Sequence, residues 1–338
     1  MLKLKKLTYI FTFLSFLTYF SQANAEIKVV ASIKPIHSLA SYLLDGVKKP
    51  DLIVDGYASP HGFAMKPSHA KMLQEADLIF WVGEDIESFL VKPLGSIAKK
   101  AEKIELMEIK GIKKLKFRER NIFDGHDDHG HKEDDHDDHA KKEDGHDDHD
   151  HDKDEHKEDG HDDHGHEGHA HGEFDPHIWL DPLNAKKILK EMAKHLIEND
   201  QANESIYKEN LKKANKDLDK LIKQVKSELN KDFKSIVFHD AYQYFEKRFK
   251  VNVLGAFTVN TDVLPGAEQL SEIREIIEHE KVTCVFSEPQ FNPDIINAVA
   301  KDTNIKTGVL DPLGATLNPG KGLYFDLISN MAKSFKGC

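Results

Sequence analysis

Residues 124–172 contain nothing from which a core can be built. Apart from two alanines, the stretch is His, Asp, Glu, Lys and Gly only. It carries fourteen histidines: His126, His129, His131, His136, His139, His146, His149, His151, His156, His161, His164, His166, His169 and His171. The unit His-Asp-Asp-His recurs, starting at His126, His136, His146 and His161. With no large aliphatic or aromatic side chain, such a segment buries no apolar surface and cannot offset the entropy of being ordered. It reads as a disordered loop inserted into a folded lobe. Any fold must therefore come from the sequence on either side of it.

The same segment accounts for the acidity of the chain. From Asp124 to Glu173 there are 22 acidic residues and 5 lysines, a charge of −17, whereas the whole chain carries −12. The remainder thus carries +5, and the folded body is near neutral. It lacks the basic stripe that nucleic-acid binding requires.

The N-terminus has the three parts of a secretory signal peptide in order. Met1-Leu2-Lys3-Leu4-Lys5-Lys6 is the positive region, residues 7–20 are apolar, and Ala23-Asn24-Ala25 is a small-x-small cleavage pattern. The apolar run is too short for a permanent bilayer anchor. Cleavage after residue 25 is expected, giving a soluble mature chain from Glu26. No Cys follows the apolar run, so no lipid-anchor site is expected there. An exported chain with two cysteines, Cys284 and Cys338, suggests one disulfide. Two free thiols are the alternative.

Outside the insert, strand and helix signals alternate. Short Val- and Ile-rich runs at residues 27–33, 76–82, 235–238, 251–256, 282–286 and 306–310 read as buried strands. Residues 52–54 form a further apparent strand. Helical patterns lie between them, as at residues 267–279, where Leu270, Ile273, Ile276 and Ile277 share a face. One helix is unusually long. Over residues 204–230, Tyr207, Leu211, Ala214, Leu218, Leu221, Val225 and Leu229 recur every three or four positions without an intervening Pro or Gly. At 1.5 Å per residue it would be roughly 40 Å long, the width of a lobe. The predicted fold is α/β: two lobes, each a parallel sheet flanked by helices, joined by one long helix. The lobes are expected at residues 26–203 and 232–338, with the linker helix at 204–231. A coiled-coil stem is the alternative use of such a stripe.

Three histidines occupy similar settings. His61 lies just past the strand at 52–54, in Tyr57-Ala58-Ser59-Pro60-His61-Gly62-Phe63. His177 lies in Asp175-Pro176-His177-Ile178-Trp179-Leu180-Asp181-Pro182. His239 ends the run Ile236-Val237-Phe238 and precedes Asp240. In open α/β sheets the ligand crevice lies past the carboxyl ends of the strands. Three neutral imidazoles meeting there suit zinc, whereas oxygen donors favour manganese or magnesium. Taken singly, each is more readily read as a hydrogen-bonded core or turn histidine.

Five motifs resemble those of the metal-binding receptors of ABC importers that serve zinc and manganese. They are Ala58-Ser59-Pro60-His61-Gly62-Phe63 with Lys66-Pro67-Ser68, the Asp175-to-Pro182 run, Phe238-His239-Asp240-Ala241-Tyr242, Ser287-Glu288-Pro289-Gln290-Phe291, and Leu310-Asp311-Pro312-Leu313-Gly314. The resemblance covers nearly all of the mature chain and is nearest to the high-affinity zinc-uptake receptors of Gram-negative periplasms. It implies Zn2+ as the bound ion, His61, His177 and His239 as its ligands, a periplasmic monomer, and an inner-membrane ABC permease as partner. It also implies two α/β lobes with a spanning helix, and a Cys284–Cys338 bridge. Two departures matter. Some zinc receptors of the group carry a Glu just before the first His, where this chain has Pro60. Manganese receptors of the cluster carry a carboxylate where this chain has His239, which favours zinc. The fourth position is then open to water or to Asp311, whose other reading is a capping Asp before a Pro.

Asp181, Asp240 and Glu288 are near enough in sequence to hold the second nitrogens of the ligands. Interleaved with carboxylates, the insert histidines offer many weak two- or three-donor zinc sites. His37, His69, His195 and His279 read as structural or surface residues, with His37 the one closest to the expected cleft. Three His plus water is also the pattern of a zinc hydrolase, but no His-Glu-x-x-His helix or nucleophile elbow accompanies it. A binding and transport role is expected rather than catalysis. A manganese receptor, a zinc buffer and an adhesin are the competing binding roles.

Overall fold

The computed structural model describes residues 26–118, 120–122, 172–229, 233–259, 261, 263, 265–301, 303 and 305–338. The expected signal peptide at residues 1–25 and the fourteen insert histidines lie outside the described residues.

Two four-stranded parallel sheets form the body. The first contains β1 (Val29–Ile33), β2 (Asp51–Val54), β3 (Leu78–Trp81) and β4 (Glu102–Glu105), in the order β2-β1-β3-β4. The second contains β5 (Lys234–His239), β6 (Asn252–Thr258), β7 (Cys284–Ser287) and β8 (Lys306–Val309), in the order β6-β5-β7-β8. The two orders are equivalent, and in each sheet the order in which strands are added reverses beside the first strand. The crevice of such a sheet opens at the carboxyl ends of the strands, at that reversal. Central strands β1 and β3 are buried at every position. This is why they read as unbroken apolar runs rather than alternating ones. All seven predicted strands are found within a few residues of their expected ends.

Strand β4 carried no signal in the sequence. It reads Glu-Lys-Ile-Glu, with only Ile104 buried, and lies on the edge of its sheet. Edge strands bury one neighbour and need little apolar character, so composition fails to mark them.

Parallel strands require crossovers, and helices supply them. In the first half these are α1 (Lys34–Leu43), α2 (Pro67–Glu75) and α3 (Ser88–Ser96). Then follow α4 (Pro182–Asn199) and the long α5 (Glu204–Glu228). The second half has α6 (Gln243–Phe249), α7 (Ala267–His279), α8 (Asp294–Ala300) and the C-terminal α9 (Leu323–Lys336). Helix α4 starts where it does because Asp181 accepts the Leu183 N–H at 2.8 Å and Pro182 opens the first turn. Arg248 locks that cap with two 2.6 Å bonds to the same carboxylate.

The stripe on α5 is buried at Tyr207, Ala214, Leu218, Leu221 and Val225. It packs on α4, α1 and α9. Thus α9, which follows the second sheet in sequence, returns to cover helices of the first. The disulfide Cys284–Cys338 ties the chain end beyond α9 to the start of β7.

Two further connections join the halves. Lys34 is 4% exposed, and its ammonium donates to the carbonyls of Gly314, Ala315 and Leu317 at 2.9–3.1 Å. Residues 113–118 and 120–122 reach from one half to the other as a strap. Lys113 exchanges two bonds with Asn184 at the start of α4, and Asn121 lies along β6, its carbonyl accepting the Ala256 N–H at 2.8 Å. The strap passes so close to β6 that a side chain at Gly255 would sit 2.7 Å from the Asn121 carbonyl oxygen.

Candidate metal centre

The strand ends of the two sheets bring His61, His177 and His239 together. His61 is on the loop after β2, where its N–H approaches Ser59 Oγ at 3.3 Å. His239 is the last residue of β5. His177 opens a 3-10 turn at Ile178–Leu180, whose Trp179 indole donates to the Pro312 carbonyl at 2.8 Å. One ring nitrogen from each histidine lies within 4.8 Å of the other two. His177 and His239 are 3% and 4% exposed, and His61 is half-buried. Ser59, Pro60, Ile86, Phe291, Pro312 and Leu313 wall the cleft around them.

Carboxylates fix the tautomers of the two buried rings. His177 donates from Nδ1 to Asp175 Oδ1 at 2.7 Å, and the same oxygen accepts the His177 backbone N–H at 2.9 Å. His239 donates from Nδ1 to Glu288 Oε1 at 2.6 Å. A carboxylate only accepts, so each Nδ1 carries the proton and each Nε2 presents a lone pair. The two Nε2 atoms stand 3.4 Å apart. Two nitrogens bound at 2.0–2.1 Å to a tetrahedral zinc would lie roughly 3.3–3.4 Å apart.

The rings differ electrostatically. Burial, and then the charge on His239, holds the pKa of His177 well below its ordinary value. His239 is also opposed by burial, but the Glu288 carboxylate outweighs that and raises it. Behind them sits a buried charge cluster. Arg118, on the strap, donates to Asp240 at 3.0 Å and to Glu246 at 2.6 Å. Burial raises Asp175 and Asp240, and the Arg118 cation opposes the rise in both.

The other candidates from the sequence fall elsewhere. Glu288 does hold an imidazole. Asp240 turns to Arg118, and Asp181 caps α4 and pairs with Arg248. Asp311 is not among the donors within 4.8 Å. Its Oδ1 accepts from Gln290 Nε2 at 3.0 Å and from the Leu313 N–H at 3.2 Å. Sequence reasoning missed Asp175, although its position two residues before His177 lets one carboxylate reach both the ring and the backbone. His37 faces the Pro50 carbonyl at 3.0 Å, His69 accepts the Lys66 N–H at the start of α2, and His279 is exposed. His195 joins Glu102 and Glu198 in a second group of close donors, but both carboxylates are largely exposed and paired with the imidazole itself.

A two-lobed solute-binding protein, with an imidazole cluster where its strand ends meet, is the class that this fold and site define. The chain belongs to the family of the periplasmic zinc-uptake complex component A, whose model matches residues 29–338. It is 46% identical over 320 residues to the high-affinity zinc uptake system protein ZnuA of Brucella abortus, covering 94% of this chain and 93% of that one. It is 36% identical to the protein of the same description from Yersinia pestis, over 93% and 92% of the two chains. Among solved structures, a ZnuA 138–173 deletion mutant with zinc bound superposes with a TM-score of 0.68 at 20% identity, over 92% of this chain and 96% of that one. A manganese-bound periplasmic metal-binding protein from Candidatus Liberibacter asiaticus gives 0.66 at 17%, over 92% and 98%.

Proposed function

We propose that this protein captures Zn2+ in the cleft between its lobes, through Nε2 of His61, His177 and His239, and delivers it to an inner-membrane ABC permease. The 3.4 Å spacing of two Nε2 atoms whose Nδ1 protons are committed to carboxylates carries this reading. The family and the names of the relatives support zinc as cargo and the periplasm as the place of capture. The leader at residues 1–25 would direct export, and the mature chain would act as two lobes, 26–203 and 232–338, joined by the helix between them. The role is binding and release rather than catalysis.

A manganese receptor is the second reading, favoured by the manganese-bound neighbour. Three nitrogen donors count against it, because manganese prefers oxygen. Elemental analysis of protein purified from the periplasm tests the proposal. Zinc near one per chain is expected, and manganese in its place would overturn it.

A further inference from the structure

The wall of the cleft contains a buried acceptor whose direction is fixed from behind. Gln290 follows β7 and lines the cleft with the three histidines. Its Nε2 donates to Asp311 Oδ1 at 3.0 Å. An amide has a donor end and an acceptor end, and a carboxylate can only accept. The Asp311 contact therefore settles which end is which: the NH2 faces Asp311 and Oε1 faces away. That oxygen is buried and finds no hydrogen-bond partner among the described residues. A buried amide oxygen left without a donor is destabilising, because it has given up its hydrogen bonds to water and gained none in return.

Asp311 is itself held in place. Besides Gln290 it accepts the N–H of Leu313 at 3.2 Å and of Thr316 at 3.4 Å, so both its oxygens are engaged within their own loop. The loop is in turn anchored from the other half of the molecule. Lys34 binds the carbonyls of Gly314, Ala315 and Leu317, and Trp179 binds that of Pro312. Trp179 is two residues from His177, so the same framework positions the ligand and the loop.

We propose that the amide oxygen of Gln290, aimed by Asp311, serves the fourth coordination position of the metal by accepting a hydrogen bond from the water that completes a three-histidine zinc site. Asp311 is a positioning residue that acts through Gln290, not a ligand. This rests on the three-histidine reading above. Zinc makes its bound water a strong donor, which suits a buried neutral acceptor. A neutral partner also leaves the first shell uncharged, apart from the ion.

The test is a double-mutant cycle with Gln290→Met and Asp311→Ala, read by zinc titration against a competing chelator. Met keeps the length of the side chain and removes only its polarity. Each single variant is expected to bind zinc about tenfold more weakly, within the range for groups that orient a metal's shell. The double variant is expected to lose about the same tenfold, since Asp311 has nothing left to aim. The cobalt(II)-loaded Gln290→Met protein should show a changed visible absorption spectrum, which a purely structural effect would leave alone. Thermal unfolding of the metal-free variants excludes loss of fold as the cause. Unchanged affinity in Gln290→Met would overturn the proposal, as would losses that multiply to about a hundredfold in the double variant. Failure of the wild type to bind one zinc tightly would sink the three-histidine reading itself, and is seen before either variant is made.

Discussion

Asp175 and Glu288 each commit one nitrogen of a buried imidazole, yet they leave the two rings with opposite titration behaviour. Burial favours neutral His177, whereas Glu288 stabilises the charged form of His239. A proton on Nε2 displaces a metal, so the ring with the raised pKa is lost first as pH falls. Apparent zinc affinity is therefore expected to drop through a midpoint above the ordinary imidazole value of about 6.5. In Glu288→Gln the amide oxygen still accepts from Nδ1, but the charge is gone. That variant should bind zinc about tenfold more weakly at pH 8 and lose it at a lower pH than the wild type. Zinc titrations between about pH 5 and 8 check both shifts.

A further buried carboxyl makes a separate, metal-independent prediction. Glu87 is fully buried and accepts the N–H of Val82 at 2.7 Å. Burial nonetheless pushes its pKa up to about 7. A group raised above its unfolded value stabilises the fold fully below that value, near 4.5, and loses the contribution as pH rises through 7. The stability difference between the wild type and Glu87→Gln should therefore shift in favour of the variant from pH 5 to pH 8, by up to about 3 kcal/mol. Urea denaturation at the two pH values measures it.

At the scale of elements, the sequence carried the long helix and the central strands because burial writes directly into composition. The stripe from Tyr207 to Val225 and the apolar β1 and β3 are examples. It did not carry β4, or the return of α9 onto α1 and α5, which depends on contacts far apart in the chain. The same limit applies to the site. The three histidines were visible through their motifs, whereas the roles of Asp175, Arg118 and Gln290 come from geometry that no spacing encodes.

The disulfide is the one covalent link between elements, joining Cys284 at the amino end of β7 to Cys338 past α9. Closing a loop with 54 residues of separation stabilises by about 4 kcal/mol in the chain-entropy model. The histidine cluster is at the other end of β7, where Glu288 follows Ser287 and holds His239. Reduction should thus lower the urea midpoint markedly while leaving zinc affinity in the folded protein unchanged. Parallel denaturation and zinc titrations, with and without reductant, check the pair of outcomes.

For the whole molecule, α5, α9, the strap and Lys34 all tie the halves together, so a large hinge opening would break buried contacts. Small movements of the cleft loops fit metal capture better. Affinity should follow from donors that are already ordered, because ordering flexible groups weakens binding. The histidines at 126–171 lie in a sequence with no core-forming residues, so any zinc they hold should be weak and rapidly exchanged. Deleting residues 125–172 is expected to remove the weak sites and leave stability nearly unchanged.

The most direct measurement is a zinc titration of that deletion variant against a competing chelator, alone and with His61, His177 or His239 replaced singly by Ala. One tight site per chain is expected in the deletion variant, together with a severe loss of affinity in each of the three substitutions. Disappearance of the tight site with the insert, or an unchanged affinity in any one of the histidine variants, would contradict a three-imidazole cleft as the site of capture.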